Sequence, residues 1–229
     1  MSFAVIAVSA IGAYGIPSAP ADGPTNSWSM PVPVSSWSML QGTFQTQDGQ
    51  LFSESTRSRA IVSFPTSDLL SVSVKFRILG NSAEVQPDSD GVTRDGITVW
   101  MNYQDPCNQY FLSWRTDNSK PGKTVVGALL KHNPGVKDLQ QCDGIGYSNL
   151  TKEDGRPALV SMTTDIMDGH DHELRIVRTG VARWKLFADG AFVMEAGDPA
   201  QTLQDQGLVG LRIDNIKVLF VYQLELGKA

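Results

Sequence analysis

The chain has 229 residues, of which 41% are hydrophobic, and it carries a formal net charge of -5 at pH 7. A chain of this length and apolar content fits one large domain better than two small ones. The acidic balance argues against a nucleic-acid partner, because nucleic-acid binding depends on Lys and Arg that neutralise phosphates. No stretch resembles a basic helix that lies on a membrane surface, so we expect no membrane partner either.

The N-terminus combines an apolar run with a Pro- and Ser-rich segment. Residues 3–16 are apolar and precede Ala-Pro-Ala at residues 19–21, a pattern compatible with cleavage of a signal peptide. Against this, no Lys or Arg occurs before Arg57, and an edge strand is the alternative for the apolar run. The run is too short for a membrane span. We predict residues 1–35 as this N-terminal segment, residues 36–229 as one domain, and secretion in preference to the cytoplasm.

Residues 39–79 contain the clearest strand signals before the centre of the chain. Residues 39–56 predict a hairpin, because Asp48-Gly49 is a favoured dipeptide for a two-residue turn. Residues 59–64 predict a short strand. Residues 69–79 alternate apolar and polar side chains, as expected for a half-buried antiparallel strand. The apolar side of that strand consists of Leu70, Val72, Val74, Phe76 and Ile78.

Residues 95–132 hold the densest mixture of aromatic and polar residues, and we predict three successive strands there. These strands are residues 96–103, 109–116 and 124–132, separated by a tight turn and a looser loop that are rich in Asn, Asp, Gly and Pro. If the protein has a ligand site, we expect it on these strands.

The C-terminal part is again regular and predicts short strands between residues 172 and 226, with Asp189-Gly190 marking a tight hairpin. No stretch shows sustained helical periodicity. About a dozen short strands with frequent turns indicate an all-β fold, an antiparallel β-sandwich or jelly roll.

Four features of the C-terminal strands follow one another in a familiar order. One strand opens at His172, another ends in Asp189-Gly190, a Gly-x-x-Gly-Leu strand covers residues 207–211, and an apolar strand covers residues 218–226. They resemble the closing half of the concanavalin A-like superfamily, which includes laminin-G-like and thrombospondin C-terminal-like modules. The central block, with its Asp-x-x-Asn turn at residues 105–108, is similar to the same superfamily.

This resemblance covers residues 36–226 and implies a concanavalin A-like sandwich. It does not choose a function, because the superfamily includes lectins, hydrolases, lyases and adhesion modules. Hydrolases of laminarinase type carry a Glu-x-Asp-x-x-Glu strand, whose carboxylates act as acid and nucleophile. That motif is absent here, although a glycosidase built from separate strands stays open. The six glutamates of the chain are Glu54, Glu84, Glu153, Glu173, Glu195 and Glu225.

Two cysteines, Cys107 and Cys142, lie 35 residues apart in loop-like contexts. They are too few for a four-ligand zinc site, and no His lies at ligand spacing from either. We predict one disulfide between them, with two unrelated thiols as the alternative.

Acidic loops and histidines are the remaining candidates for a metal or for acid–base chemistry. We predict no cofactor but keep calcium as a possibility. The chain has two clusters of Asp residues, given at the end of this paragraph, and neither has the ligand spacing of an EF-hand calcium loop. His170 is expected to be exposed, His172 to pack, and His132, at a strand end, to be either an acid–base group or a surface residue. The acidic clusters are Asp88, Asp90 and Asp95, and Asp165, Asp168 and Asp171.

Strand alternation brings the mixed aromatic and polar residues of the central block onto one face, which we predict to be open and concave. A Trp flanked by amide, hydroxyl and guanidinium groups suits stacking on a sugar ring with hydrogen bonds to its hydroxyls. The alternative is that Trp100 belongs to the core. The predicted ligand-binding residues are Thr98, Trp100, Asn102, Phe111, Ser113, Arg115, Lys131 and His132.

The predicted function is non-catalytic binding of a ligand on this face, with a carbohydrate as the predicted ligand. The alternative is an enzyme that uses the same concavity. It would be a polysaccharide hydrolase or lyase, or a cyclase or isomerase acting on a small hydrophobic molecule. An adhesion module that recognises another protein is a third possibility.

Overall fold

The computed structural model describes most of the chain from residue 29 onward. Among these residues, no helix is long and apolar enough to cross a membrane. The predicted signal segment lies outside them, so the division into residues 1–35 and 36–229 stays a prediction. The described residues are 29–31, 37–42, 45–47, 50–53, 57–65, 69–81, 95–116, 123–136, 138, 141–142, 146–203 and 207–228.

The described part of the chain folds into two antiparallel sheets. Its strands, in chain order, are β1 (Ser29–Pro31), β2 (Trp37–Gln41), β3 (Gln45–Gln47), β4 (Gln50–Ser53), β5 (Arg57–Pro65), β6 (Leu69–Asn81), β7 (Gly96–Asp105), β8 (Asn108–Thr116), β9 (Thr124–His132), β10 (Ser148–Asn149), β11 (Thr151–Lys152), β12 (Leu159–Met162), β13 (Asp171–Gly180), β14 (Arg183–Ala188), β15 (Ala191–Gly197), β16 (Leu208–Asp214) and β17 (Ile216–Lys228).

Sequential strands are distributed between both sheets, as in a sandwich. The first sheet has the order β11-β15-β14-β13-β6-β17-β4-β3, and β1 pairs with β17 beside it. The second sheet has the order β10-β9-β8-β7-β16-β5-β2, and β12 pairs with β9. The three predicted central strands are therefore neighbours, and the all-β sandwich expected from the sequence is confirmed.

The hydrophobic core lies between the two sheets. Alternate residues of β6 are buried, as predicted, and pack in one cluster with the alternate residues of β7, β8 and β9. Two aromatic pairs join the sheets: Phe76 lies edge-on to Trp114 at 6.0 Å, and Tyr110 lies 4.8 Å from Trp184. Each fully buried side chain of this size contributes roughly 1.5–3 kcal/mol.

Both predicted tight hairpins are formed. In the first, β3 pairs with β4, and Gln47 lies opposite Gln50, although the turn residues themselves lie outside the described part. In the second, Asp189 and Gly190 have φ angles of 48° and 76°, the positive values that a two-residue hairpin turn requires.

One irregularity changes the face that β7 presents. Asn102 has a φ of 51°, and the pairing of β7 with β8 skips from Met101 opposite Tyr110 to Asp105 opposite Asn108. A bulge of this kind interrupts the alternation of side chains. Tyr103 consequently joins Trp100 on the outer face, whereas strict alternation predicted it on the core side.

The predicted disulfide is present between Cys107, in the β7–β8 turn, and Cys142, which follows β9. Both cysteines are buried. The bond connects two segments that border the same end of the second sheet.

Candidate ligand-binding face

The candidate site is the face of the second sheet that points away from the core, which we call the site face. Its apolar residues form a cluster separate from the main core. Partners directly opposite each other in antiparallel strands share a face, so the register defines two rows across β5, β16, β7, β8 and β9. One row is Arg59, Arg212, Thr98, Ser113 and Gly127; the next is Ile61, Gly210, Trp100, Phe111 and Leu129. Gln109 and Lys131 lie opposite each other beyond the second row, and Arg115 lies beyond the first.

Four aromatic rings meet on the site face. Trp100 stacks on Tyr103 with ring centroids 5.1 Å apart, and Phe111 lies edge-on to Trp100 at 6.0 Å. Tyr147, which precedes β10, lies edge-on to Phe111 at 4.8 Å. Trp100 is only 1% exposed, whereas Tyr147 is 41% exposed. Tyr147 is therefore the ring of this group that solvent reaches.

Glycine at position 210 makes room for the indole of Trp100. A Cβ atom at Gly210 would lie 2.6 Å from Cε3 of Trp100 and 3.1 Å from the carbonyl oxygen of Ala60. Real Cβ atoms essentially never lie within 3.0 Å of another heavy atom, so a larger residue would displace the ring. The indole thus lies across β16, its neighbouring strand.

Basic side chains surround the aromatic cluster. The Nζ atom of Lys131 lies 4.8 Å from the ring centroid of Tyr147 and donates to the carbonyl oxygen of Cys142. The guanidinium carbon of Arg212 lies 5.8 Å from the ring centroid of Phe111. Arg212 Nε donates to Asp214, and its Nη1 donates to the hydroxyl of Tyr147 at 3.3 Å. Both cationic heads are therefore held at the aromatic rings.

Among the described residues, three neutral polar atoms on strands β7 and β8 of the site face are buried without a hydrogen-bond partner. They are Nε1 of Trp100, Oγ of Ser113 and Oε1 of Gln109. Most buried polar groups in proteins are hydrogen-bonded, and a buried group left unsatisfied costs about 1–3 kcal/mol. By contrast, Trp114 Nε1 in the core donates to Thr124 Oγ1 at 2.8 Å. The unsatisfied atoms comprise one donor, one acceptor and one hydroxyl that can do either.

Burial also raises the pKa of a tyrosine at this face. The pKa of Tyr103 rises to about 12, because burial disfavours the phenolate and the Asp105 carboxylate adds to this, while Arg59 opposes it. Tyr103 is therefore a neutral hydroxyl at physiological pH, and it does not serve as a base.

The structure brings most of the predicted site residues together. Thr98, Trp100, Phe111 and Ser113 lie in the two rows, and Lys131 and Arg115 lie beside them. The predicted openness of the face is wrong for its centre, since these residues are buried, apart from the half-buried Arg115. How deeply a sheet face is buried depends on the segments packed over it. Strand alternation predicts which side chains share a face, but it does not predict whether that face is covered.

Two predicted members do not belong to the site face. The bulge turns Asn102 away, and its Nδ2 donates to the carbonyl oxygen of Leu203 at 3.4 Å. His132 lies opposite Asn108 on the other side of β9 and is exposed. His132 therefore does not share this face, and the choice between an acid–base group and a surface residue at a strand end stays a prediction.

Besides Tyr103, the predicted set lacks Gln109, Arg59, Arg212 and Tyr147, which also lie at the site face. Gln109 follows from the alternation of β8, which simply extends one step beyond Phe111. Arg59 and Arg212 lie on strands whose neighbours a single sequence does not identify. Tyr147 precedes a strand of two residues and carries no signal of its own.

The histidines at the start of β13 form a separate cluster. His172 is buried against the rings of Phe76 and Trp114, as predicted, and its two nitrogens lie 2.9 Å from Asp189 Oδ2 and 3.1 Å from Asp168 Oδ1. The backbone N–H of His170 and the ring of His172 hold the pKa of Asp168 below its ordinary value. His170 is exposed, also as predicted.

The neighbouring carboxylates have protein partners as well. Asp171 pairs with Arg77 at 2.5 Å, and Asp165 accepts from the backbone N–H of Met167 at 2.9 Å. Nowhere in the described ranges do three or more His, Cys, Asp or Glu residues group as metal ligands would. Asp88 and Asp90 of the other acidic cluster lie outside those ranges.

Comparisons with known proteins find similarity in structure only. No protein-family model and no curated protein sequence matches the chain. The metal-free carbohydrate recognition domain of Emp46p matches with a TM-score of 0.53 and 11% identity, over 85% of this chain and 88% of its own. The potassium-bound form of that domain matches with a TM-score of 0.52 and 14% identity, over 85% and 89%.

An enzyme of the same architecture matches about equally well. The Crh5 transglycosylase in complex with NAG has a TM-score of 0.51 and 10% identity, over 90% of this chain and 85% of its own. Identities this low establish the fold alone. The chain has the concanavalin A-like sandwich fold that its sequence pattern resembles.

Proposed function

We propose that the protein binds a carbohydrate on the site face and does not act on it chemically. The observation that carries this proposal is the set of three buried, unsatisfied polar atoms beside the aromatic rings. A sugar presents hydroxyls that both donate and accept, together with apolar C–H surfaces that stack on aromatic rings. Such a ligand would satisfy Trp100 Nε1, Ser113 Oγ and Gln109 Oε1 together.

The fold supports this proposal without deciding it. Structures that share the sandwich include a carbohydrate recognition domain and a transglycosylase, so a sugar-binding site and an enzyme site are both compatible with it. Among the described residues of the site face, Asp214 is the one carboxylate, and Arg212 donates to it. Hydrolysis of a glycosidic bond ordinarily requires two carboxylates, which favours binding without catalysis.

The burial of Trp100 favours a short ligand over a long chain lying in an open cleft. The same burial supports the second candidate, an enzyme or binding protein for a small hydrophobic molecule, since enclosed sites suit such ligands. The unsatisfied polar atoms distinguish the two, because an apolar ligand would leave them without partners.

Calcium is not part of the proposed contacts, although it stays a possibility for the acidic loops. The carboxylates of Asp165, Asp168 and Asp171 already accept hydrogen bonds from the protein. We therefore expect a chelator such as EDTA to leave sugar affinity unchanged. A chelator-sensitive affinity would show that the ligand site includes a cation.

The disulfide indicates that the protein matures in an oxidising compartment, because structural disulfides are rare in the cytosol. We propose an extracellular location, where free or cell-surface glycans would be the ligands.

Tyr147 provides the test of the proposal, because it is exposed at the site and is not part of the main core cluster. Wild-type protein would be screened on a glycan array, and the affinity for each hit measured by calorimetry. Tyr147→Ala should weaken binding by about 1–2 kcal/mol, that is about five- to thirty-fold, through lost ring contact. Phe192→Ala removes an exposed ring from the first sheet and is the matched control. The proposal fails if no glycan binds, or if both variants have the same effect.

A further inference from the structure

The first row of the site face continues beyond Gly127 onto β12, at the edge of the second sheet. Leu159 lies opposite Gly127, which in turn lies opposite Ser113. Partners directly opposite each other in antiparallel strands share a face, so Leu159 and Ser113 lie on the same side of the sheet with Gly127 between them. Leu159 is 39% exposed, whereas Ser113 is buried. An apolar side chain that solvent reaches is therefore next in the row to a buried polar one.

Glycine at position 127 brings these two side chains together. A Cβ atom there would lie 2.8 Å from Cδ2 of Leu159 and 3.6 Å from Oγ of Ser113. Both atoms are therefore close to the same point above β9, and glycine places no side chain between them. The leucine thus lies over the side of the Ser113 hydroxyl that faces the edge of the sheet.

The Ser113 hydroxyl is one of the three buried, unsatisfied atoms of β7 and β8. It can donate to a ligand or accept from it. A ligand that reaches it from the sheet edge passes Leu159, whose exposed side chain can change rotamer within nanoseconds. One atom of the ligand then lies at the hydroxyl and its neighbours lie against the leucine. A polar group placed against the leucine would lose hydration without a new partner, whereas a methyl group is stabilised by burial.

We propose that the sugar unit bound at Ser113 carries a methyl group, which packs on Leu159 while a neighbouring oxygen of the same unit bonds to Ser113 Oγ. This inference rests on the proposed carbohydrate binding and specifies its ligand class. Two kinds of sugar provide the combination. In a deoxyhexose such as fucose, the methyl group is attached to the ring beside the ring oxygen. In an N-acetylhexosamine, it belongs to the acetamido group, beside the carbonyl oxygen.

Competition by matched sugars tests this inference. The protein is bound to a glycan found on the array, and methyl glycosides are added as competitors in pairs that differ in one group. The pairs are L-fucose and L-galactose, L-rhamnose and L-mannose, N-acetylglucosamine and glucose, and N-acetylgalactosamine and galactose. In at least one pair, the methyl-bearing sugar should compete about fourfold better or more, through burial of its methyl group. Preference in the fucose or rhamnose pair identifies a deoxyhexose, and preference in the other pairs identifies an N-acetylhexosamine.

Three variants connect the preference to this part of the site face. Leu159→Ala should reduce the preference, because it removes the surface on which the methyl group packs, and should leave the affinity for the other member of the pair unchanged. Leu79→Ala truncates an exposed leucine on β6 of the first sheet; as the matched control, it should change neither affinity. Ser113→Ala should weaken both members by the same factor, since both use the hydroxyl. The comparison of pairs in the wild type does not depend on any variant folding.

The outcomes separate this inference from the function on which it rests. Equal competition within every pair, competition by none of these sugars, or a preference that Leu159→Ala leaves intact overturns methyl recognition at Leu159. Each of these results leaves carbohydrate binding in place. Failure of every glycan to bind on the array overturns both.

Discussion

Ser113 and Ser58 are both buried serines, but they differ in hydrogen bonding: Ser58 Oγ bonds to Ser53 Oγ at 2.8 Å, whereas Ser113 Oγ is unsatisfied. We expect Ser113→Ala to raise the free energy of unfolding by about 1 kcal/mol, because it removes an unsatisfied hydroxyl, while weakening ligand binding. Ser58→Ala is the control and should lower stability by about 1–3 kcal/mol, since it takes a partner from Ser53. Denaturant unfolding measures both. A destabilised Ser113→Ala would mean that this hydroxyl serves the fold and not a ligand.

Asp198 provides a prediction about acid stability. Burial by itself would raise its pKa, but bonds from Thr202, Tyr110 and the backbone N–H of Ala200 hold the pKa below its ordinary value. A lowered folded-state pKa contributes stability that is complete above the unfolded value of about 3.9 and is lost as the pH falls through the folded value.

Asp198→Asn should therefore be less stable than wild type at neutral pH, and the difference should shrink below about pH 4. Urea unfolding across this pH range measures the effect. Stability curves that stay parallel down to the lowest pH would contradict the account of Asp198.

Asn102 marks the point in β7 beyond which strand alternation no longer predicts the face of each side chain. Period-two alternation correctly assigned β7 from Ile97 to Met101, because sterically ordinary strand residues alternate by geometry. The positive φ of Asn102 then reversed the pattern. Asn tolerates this conformation better than most residues, but its presence in a strand does not announce it.

At the scale of elements, Gly210 determines how Trp100 lies across β16. Gly210→Ala should destabilise the protein by about 1–3 kcal/mol and weaken ligand binding, because the new Cβ would overlap the indole. Gly180→Ala is the control, since a Cβ there would meet Arg183 Cβ at an ordinary 3.7 Å. Thermal unfolding and calorimetry compare them. Equal effects of the two variants would show that the close approach at Gly210 has no role in the site.

The disulfide connects the β7–β8 turn to the segment that follows β9, and Lys131 donates to the carbonyl oxygen of Cys142. For a closed loop of 35 residues, removing the bond should cost about 2–4 kcal/mol of stability. We also expect reduction to weaken ligand binding, because the anchor of the Lys131 head is released. The double variant Cys107→Ala and Cys142→Ala should show the same losses and no response to a reductant. Unchanged affinity after reduction would separate the disulfide from the site.

At the scale of the whole molecule, the sequence predicted the two-layer architecture because strand alternation and turn residues are local signals. The predicted strands at residues 96–103, 109–116 and 124–132 correspond to β7, β8 and β9 with small shifts. The sequence could not predict which strands pair with each other in the two sheets. Arg212 reaches the site face through pairing of β16 with β7, a contact between residues far apart in the chain. The burial of Trp100 likewise depends on long-range packing.

Carbohydrate binding on the site face requires a ligand that reaches its buried polar atoms. The most direct measurement is the ¹H–¹⁵N spectrum of the tryptophan indoles during titration with a glycan that binds on the array, with Trp100→Phe to assign the Trp100 signal. The Trp100 signal should shift, while that of Trp114, whose N–H is bonded to Thr124, should stay in place. Sugar binding that leaves the Trp100 signal unmoved, or no binding of any glycan at all, would contradict carbohydrate binding on the site face.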